Sequence, residues 1–413
     1  MLILCPGGRP QTLVAMPEPL NLLAPDVRAN PYPDYARMRR EGPVQQVEPG
    51  GFWAVSRAED IEHVLKHPQI FSSAGFEPIF KPAWLGHNPL GDSMVTKDGP
   101  AHTKLRALVS RAFTPRAMAR LEPRVRALCV EVADRLAALQ EGDFVDELCA
   151  RLPALVIADI LGLDRKLTSE LKRWIGHLAI VSPVYPGDEL ADAIRATVRE
   201  LEGHLVQAIA ARRSAPQGDT VSELLAAEVD GHVLADEEIL AVLFLLLSAG
   251  FETTAHFFSH ALIDFDRRPE VFTRLREDRT LIPAYVEELL RTEPPVHNLF
   301  RLTAVDTELG GVQLPRGSMV TLLLASANRD AARFAEPDRF DAARTSAGGY
   351  AFGHGIHFCL GASLARLEAR LMLEELAARF VRFEKLPGEI RWNFAVHVRG
   401  PVALPFRAIL APG

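Results

Sequence analysis

The sequence predicts a mainly α-helical fold with a minor β part, and three observations carry that expectation. Helical periodicity dominates from 101 to 267, interrupted only around 182–187 and 214–218. Within that stretch, 236–266 is apolar nearly all round, as a helix without a solvent face must be. Runs of β-branched and aromatic residues are short: 51–56, 301–304 and 319–324.

Residues 1–15 read as a disordered lead-in and 16–413 as one domain, because no repeat and no low-complexity stretch divides the chain. From 27 to 70, short helical patterns flank the strand-like Gly51-Phe-Trp-Ala-Val-Ser56. Residues 71–98 carry Pro78, Pro82 and Pro89 with Gly75, Gly86 and Gly91, interleaved with Phe76, Phe80 and Trp84. Such a stretch breaks helices while offering apolar surface, the composition of a binding loop. A second turn-rich loop falls at 182–188. The central segment would span roughly 45 Å as a helix, with Asp236, Glu237 and Glu238 complementing the dipole at its start and Pro269 lying past its end. A further helix ends at Arg291, two strand patterns follow, and a Gly-rich loop at 348–361 leads into an amphipathic helix over 362–380.

With 46 Lys and Arg against 53 Asp and Glu, the 413 residues carry a net charge of −7 and no basic tract, which argues against a nucleic-acid partner. Cys5, Cys129, Cys149 and Cys359 lie far apart, so neither a zinc knuckle nor a redox pair is spelled out, and a reducing cytoplasm suits them. The longest apolar run, 239–247, is about half a bilayer span, so no membrane anchor is expected. The opening lacks a basic start and runs straight into Pro6-Gly7-Gly8, unlike a secretion signal.

The sharpest feature is Phe352-Gly-His-Gly-Ile-His-Phe-Cys-Leu-Gly361. Its glycines imply backbone lying close against something bulky. Cys359, just before a helix, would feel the positive end of the helix dipole, which favours thiolate over thiol. A buried structural cysteine and a zinc site with His354 and His357 are the competing readings, the second lacking a fourth ligand. A lone thiolate also suits an iron whose other ligands belong to a macrocycle.

At every constrained position this segment resembles the cysteine-loop signature of the cytochrome P450 family, Phe-x-x-Gly-x-x-x-Cys-x-Gly. The resemblance implies that family's fold, a triangular helix-rich prism with small sheets and haem b between the central long helix and the cysteine-loop helix. It implies Cys359 as the axial ligand of the iron, Phe352 near the sulfur and His357 at a haem propionate. It extends to Ala249-Gly-Phe-Glu-Thr-Thr254, where Gly250 costs about 1 kcal/mol against Ala and Glu252 sits among hydrophobes. A helix distorted at Gly250, with Ala249 and Gly250 against the cofactor, would give dioxygen room, and Glu252 and Thr253 would supply protons. The competing reading has Thr253 bonded back to a preceding carbonyl and Glu252 reaching solvent.

Glu288 and Arg291, at i and i+3, match the family's structural ion pair, with Arg339 as the third member. His102 and Arg106, at i and i+4, and Arg301 match its propionate contacts. By position, Phe80, Trp84, Leu245, Ala249, Val296, Leu299, Phe394 and Val396 would line an apolar substrate pocket, with His297, Asn298 and His397 adding orienting hydrogen bonds.

The resemblance implies a monooxygenase that hydroxylates or epoxidises a hydrophobic small molecule and acts as a monomer. It leaves no segment for a fused reductase, so electrons would come from a separate ferredoxin or flavodoxin and an NAD(P)H-dependent reductase. Lys104, Arg111, Arg116 and Arg366 are candidates for the docking face. The alternatives are a peroxide-driven peroxygenase or isomerase, which would not need the Glu252–Thr253 pair, and a non-catalytic haem sensor, which would carry an output domain.

Overall fold

The structure is a computed structural model that describes residues 19–344 and 348–412; the expected lead-in and the domain start at 16 lie outside the described residues. Its axis is the central helix Asp236–Arg267, α-helical throughout. Glu238 starts it by accepting the Ala235 N–H at 2.9 Å, and the acidic first turn opposes the helix dipole. Ile239 to Phe244 are all buried, and along its length the helix packs against Arg151–Ile160, Phe380–Lys385 and Pro269–Glu277. By length and composition this helix could cross a membrane, yet most of its apolar window is buried inside the fold.

Pro115–Leu139 packs along Ala362–Arg379, the helix that follows the cysteine loop. Thr114 caps the first of these, its hydroxyl accepting the Ala117 N–H at 3.3 Å. Trp174, Phe244, Phe265, Phe272 and Tyr285 are fully buried in the resulting core.

A six-stranded sheet flanks the helices in the order Leu20–Asn21, Val44–Glu48, Phe52–Val55, Met319–Leu323, Asn298–Thr303, Phe71–Ser72. The register sets Val320 opposite both Trp53 and Arg301, which fixes Arg301 in the interior of the sheet. Three of these strands match the expected short β runs within a few residues. A second sheet of Phe380–Lys385, Pro405–Leu410 and Glu141–Asp143 was not foreseen, because its strands are distant in sequence and alternate only weakly. Gly310 and Gly311, both at positive φ, close the hairpin between Thr307–Leu309 and Val312–Leu314.

The 71–98 loop folds into four short helical turns. Its anchor is Asp98, whose carboxylate accepts from the Ser72 hydroxyl and from the backbone N–H groups of Ser73 and Ala74 at 3.0 and 3.1 Å.

Arg291 grips Glu288 with two 2.8 Å bonds, both side chains buried, and also donates to the carbonyls of Asn328 and Pro337. The expected third member, Arg339, is corrected: its side chain pairs with Glu336 and Asp341 near the surface, and only its carbonyl accepts from Arg291. Arg344 takes the place beside Glu288, at 3.4 Å. The turn at Asp341 explains this, since the Asp341 N–H donates to Glu288 and the chain swings Arg344 inward.

Candidate functional site

The cysteine loop is built by its glycines. Gly353 and Gly355 both adopt left-handed φ, and a Cβ on Gly355 would lie 2.4 Å from the Leu65 carbonyl oxygen, a backbone atom that cannot yield. The resulting turn lets Cys359 N–H donate to Phe352 carbonyl at 2.9 Å and directs Cys359 onto the wall of a cavity of about 310 Å³. Burial pushes the Cys359 thiol up, opposed by the N–H groups of Gly361 and Ala362 and by Arg106 and Arg366. A coordinated metal would complete the deprotonation. Phe352 stands on the same wall, with the Arg366 guanidinium 4.5 Å over its ring.

Opposite the loop, Leu245, Ala249, Gly250 and Thr253 of the central helix line the cavity. The helix is not broken at Gly250. The glycine instead admits a neighbour, since a Cβ there would come within 2.7 Å of Ile157 Cδ1. Thr253 presents its side chain to the cavity while its hydroxyl donates to the Ala249 carbonyl at 2.7 Å. Back-bonding and cavity lining, weighed as alternatives in the sequence, thus coexist. Glu252 is neither on the cavity wall nor free in solvent: its Oε1 lies 3.4 Å from His256 Nε2. Burial pushes its carboxyl up, but the His256 hydrogen bond and charge, His397 and Asn393 outweigh that and hold it below the usual range.

Four basic residues suited to a dianionic ligand gather beside the cavity. Among the described residues, His102 is buried with neither ring nitrogen hydrogen-bonded, and its ring lies 4.2 Å from that of His357, whose Nε2 also lacks a hydrogen-bond partner. Arg106 lines the cavity and has no ion pair among the described residues. Arg301 is buried behind the wall, the one hydrogen bond of its side chain among the described residues running from Nη1 to the Phe300 carbonyl. Burial, then neighbouring cations, lowers His357 to about 3, and burial lowers Arg301 to about 10. Burial keeps the His102 and His357 imidazoles neutral, free to donate an N–H, while Arg106 and Arg301 remain cations near one carboxylate, Asp98, whose Oδ1 lies 3.8 Å from His357 Nε2; two further carboxylates would neutralise the arginines and accept from the imidazoles. The residues present therefore fit a haem, with Cys359 for the iron and His102, Arg106, Arg301 and His357 for the propionates.

Of the expected substrate residues, Leu245, Ala249, Val296 and Leu299 are on the wall, joined by Met94, Val95, Ile157 and Leu246. Phe80, Trp84, Phe394 and Val396 are not, a correction to the positional carry-over. Trp84 donates its indole N–H to the Ser182 carbonyl, Phe80 packs into the helical core, Phe394 is 78% exposed, and Val396 packs against the cluster around Leu22 and Tyr35. Loop conformation decides which side chains face inward, and spacing does not encode it. His297, Asn298 and His397 are also off the wall; Asn298 donates to the Val396 carbonyl.

Glu368, which no motif singled out here, lines the cavity with Oε2 unpartnered, and burial pushes it up to about 8. Its place on the inward face of 362–380, among Leu364, Leu367 and Leu371, was the available signal.

A thiol at a glycine-built turn, a threonine on the same cavity wall, and two guanidinium groups and two imidazoles beside them fit a haem-thiolate oxygenase site on a helical prism. The chain belongs to the cytochrome P450 family, whose family model matches residues 10–393, and it is an oxidoreductase of the monooxygenase class. It is 36% identical over 408 residues to the cytochrome P450 monooxygenase PikC of Streptomyces venezuelae, covering 96% of each chain. It is 40% identical over 349 residues to the erythromycin C-12 hydroxylase of Saccharopolyspora erythraea, covering 84% of this chain and 86% of that one. Among solved structures, cytochrome P450 CYP109Q5 from Chondromyces apiculatus superposes with a TM-score of 0.86 at 38% identity, over 95% of this chain and 99% of the other.

Proposed function

We propose that this P450 inserts one atom of O2 into a hydrophobic small molecule, by hydroxylation or epoxidation. The observation that carries this reading is the predominantly apolar cavity onto which Cys359, Thr253, His102, Arg106 and His357 converge. Haem b bound there would supply reductive activation of dioxygen, with thiolate donation favouring O–O cleavage. Cys359 holds the metal, and the four basic residues orient the macrocycle by its propionates. Thr253 offers a hydroxyl whose own proton is committed to Ala249, leaving its lone pairs to accept a hydrogen bond inside the cavity. Glu252, one residue before it, is the nearest acid on that helix and the source of protons.

Met94, Val95, Leu245, Leu246, Val296 and Leu299 exclude water and favour an apolar substrate, such as a polyketide, steroid, terpenoid, fatty acid or xenobiotic. The hydroxylase relative that acts on erythromycin supports the first of these classes. The protein acts as a cytoplasmic monomer, receiving electrons originating in NAD(P)H from a separate ferredoxin or flavodoxin. Lys104, Arg111 and Arg116 are exposed for such docking, whereas Arg366 is already paired with Glu287 at 2.5 Å. Two measurements test the proposal. Dithionite-reduced protein under carbon monoxide should show the family's red-shifted Soret band, and a panel of macrolides, steroids and fatty acids should contain compounds that shift the ferric spin state and are hydroxylated. Neither binding nor turnover in any hydrophobic class would overturn it.

A further inference from the structure

Asp98 stands where a helix cap belongs, at the N-terminus of the helix Gly99–Val109, yet its side chain caps nothing there. The carboxylate is turned back across the chain instead. It accepts from the Ser72 hydroxyl, from the Ser73 N–H at 3.0 and 3.1 Å through its two oxygens, and from the Ala74 N–H at 3.1 Å. One carboxylate thus ties both ends of the 72–98 loop, the stretch that puts Met94 and Val95 on the cavity wall. The same group faces the cofactor cluster. Its Oδ1 lies 3.8 Å from His357 Nε2, and its charge reaches His102 and Arg301 as well. Both flanks carry the connection onward. His102 and Arg106 follow Asp98 on the helix it begins, and Ser72 pairs with Leu302, the residue next to Arg301. Gly75 lets the loop lie against that strand, since a Cβ there would fall 2.2 Å from Leu302 Cδ1.

We propose that Asp98 is a positioning residue that joins the substrate loop to the cofactor cluster, so that seating a dianionic haem fixes the 72–98 wall and ordering that wall steadies the propionate contacts. This rests on His102, Arg106, Arg301 and His357 being those contacts. Hydrogen bonds to a carboxylate are charge-assisted and strong, and an Asp side chain is short, so its loop partners and His357 do not shift independently. Burial pushes the Asp98 carboxyl up, but the Ser72 hydroxyl and the N–H groups of Ser73 and Ala74 outweigh that and hold it below its usual range, which keeps it an anion. Coupling of this kind is reciprocal: what His357 gains from a held Asp98, the loop gains from a held His357.

The test uses haem-loaded enzyme without substrate and reads two signals: hydrogen exchange of residues 72–98 by mass spectrometry, and the propionate-bending bands of the ferric haem by resonance Raman spectroscopy. The carbon-monoxide spectrum checks that each variant keeps its thiolate ligand. Asp98→Asn should speed exchange in the loop by about tenfold and shift the propionate bands. Ser72→Ala, a change outside the cofactor cluster, should shift the same bands to a lesser extent. His357→Asn, a change outside the loop, should speed loop exchange several-fold. Should Asp98→Asn lose haem, Ser72→Ala and His357→Asn carry the test between them. Faster loop exchange with propionate bands left as in wild type would reduce Asp98 to a loop anchor and overturn the coupling, as would unchanged exchange in His357→Asn. Propionate bands indifferent to Arg106→Gln and Arg301→Gln would instead overturn the propionate contacts on which the proposal rests.

Discussion

Cys359 and Thr253 illustrate how much chemistry one side chain can carry when the backbone aims it. Desolvation raises the thiol, which would become a thiolate ligand by releasing its proton as the metal binds. Cys359→Ser substitutes a hydroxyl that ionises far less readily, so the red-shifted carbon-monoxide band should vanish while far-ultraviolet dichroism stays close to wild type. The Thr253 hydroxyl makes one hydrogen bond among the described residues, to the Ala249 carbonyl, and its loss costs about 1 kcal/mol or less. Thr253→Ala should therefore bind haem normally yet release several-fold more peroxide per NADH consumed. Unchanged coupling in that variant would count against Thr253 in proton delivery.

Among the elements, Ile282–Thr292 shows how an ion pair becomes structural. Arg291 and Glu288 are both buried, and the guanidinium ties three backbone carbonyls, those of Asn328, Pro337 and Arg339, to the helix. Removing it strands a buried carboxylate, so Arg291→Ala should cost about 3–5 kcal/mol in denaturant unfolding. Arg339→Ala deletes a largely exposed side chain and should change stability by less than about 1 kcal/mol. Equal losses in the two variants would show that the Arg339 side chain, and not only its carbonyl, supports the network.

At the scale of the whole molecule, burial of ionisable groups around the cavity couples stability to pH. Glu368 is lifted to about 8, above the ordinary range near 4.5, so the folded state binds its proton more tightly than the unfolded chain does. Its contribution is fully present below about pH 4.5 and is lost as pH rises toward 8, at no more than about 1.4 kcal/mol per pH unit. Glu368→Gln keeps the shape without the ionisation. Across that window its unfolding free energy should fall less with pH than that of wild type, measured on haem-free protein by denaturant titration. Parallel curves would mean that Glu368 ionises without penalty.

Much of this was legible in the chain because the signals are local. The Cys359 turn is spelled by glycines within ten residues, and the central helix by an unbroken apolar run and an acidic start, features that depend on neighbours close in sequence. Arg344 beside Glu288, the sheet joining Glu141–Asp143 to Pro405–Leu410, and the inward face of Glu368 depend on segments brought together from afar. The same holds for the direction of Glu252, which sits at the expected position on the expected helix but points to His256 and Asn393. Helical phase places such a side chain only to within a sector. Glu252 is drawn aside by His256 on the same helix together with Asn393, which comes from a segment more than a hundred residues away that tertiary packing alone brings close.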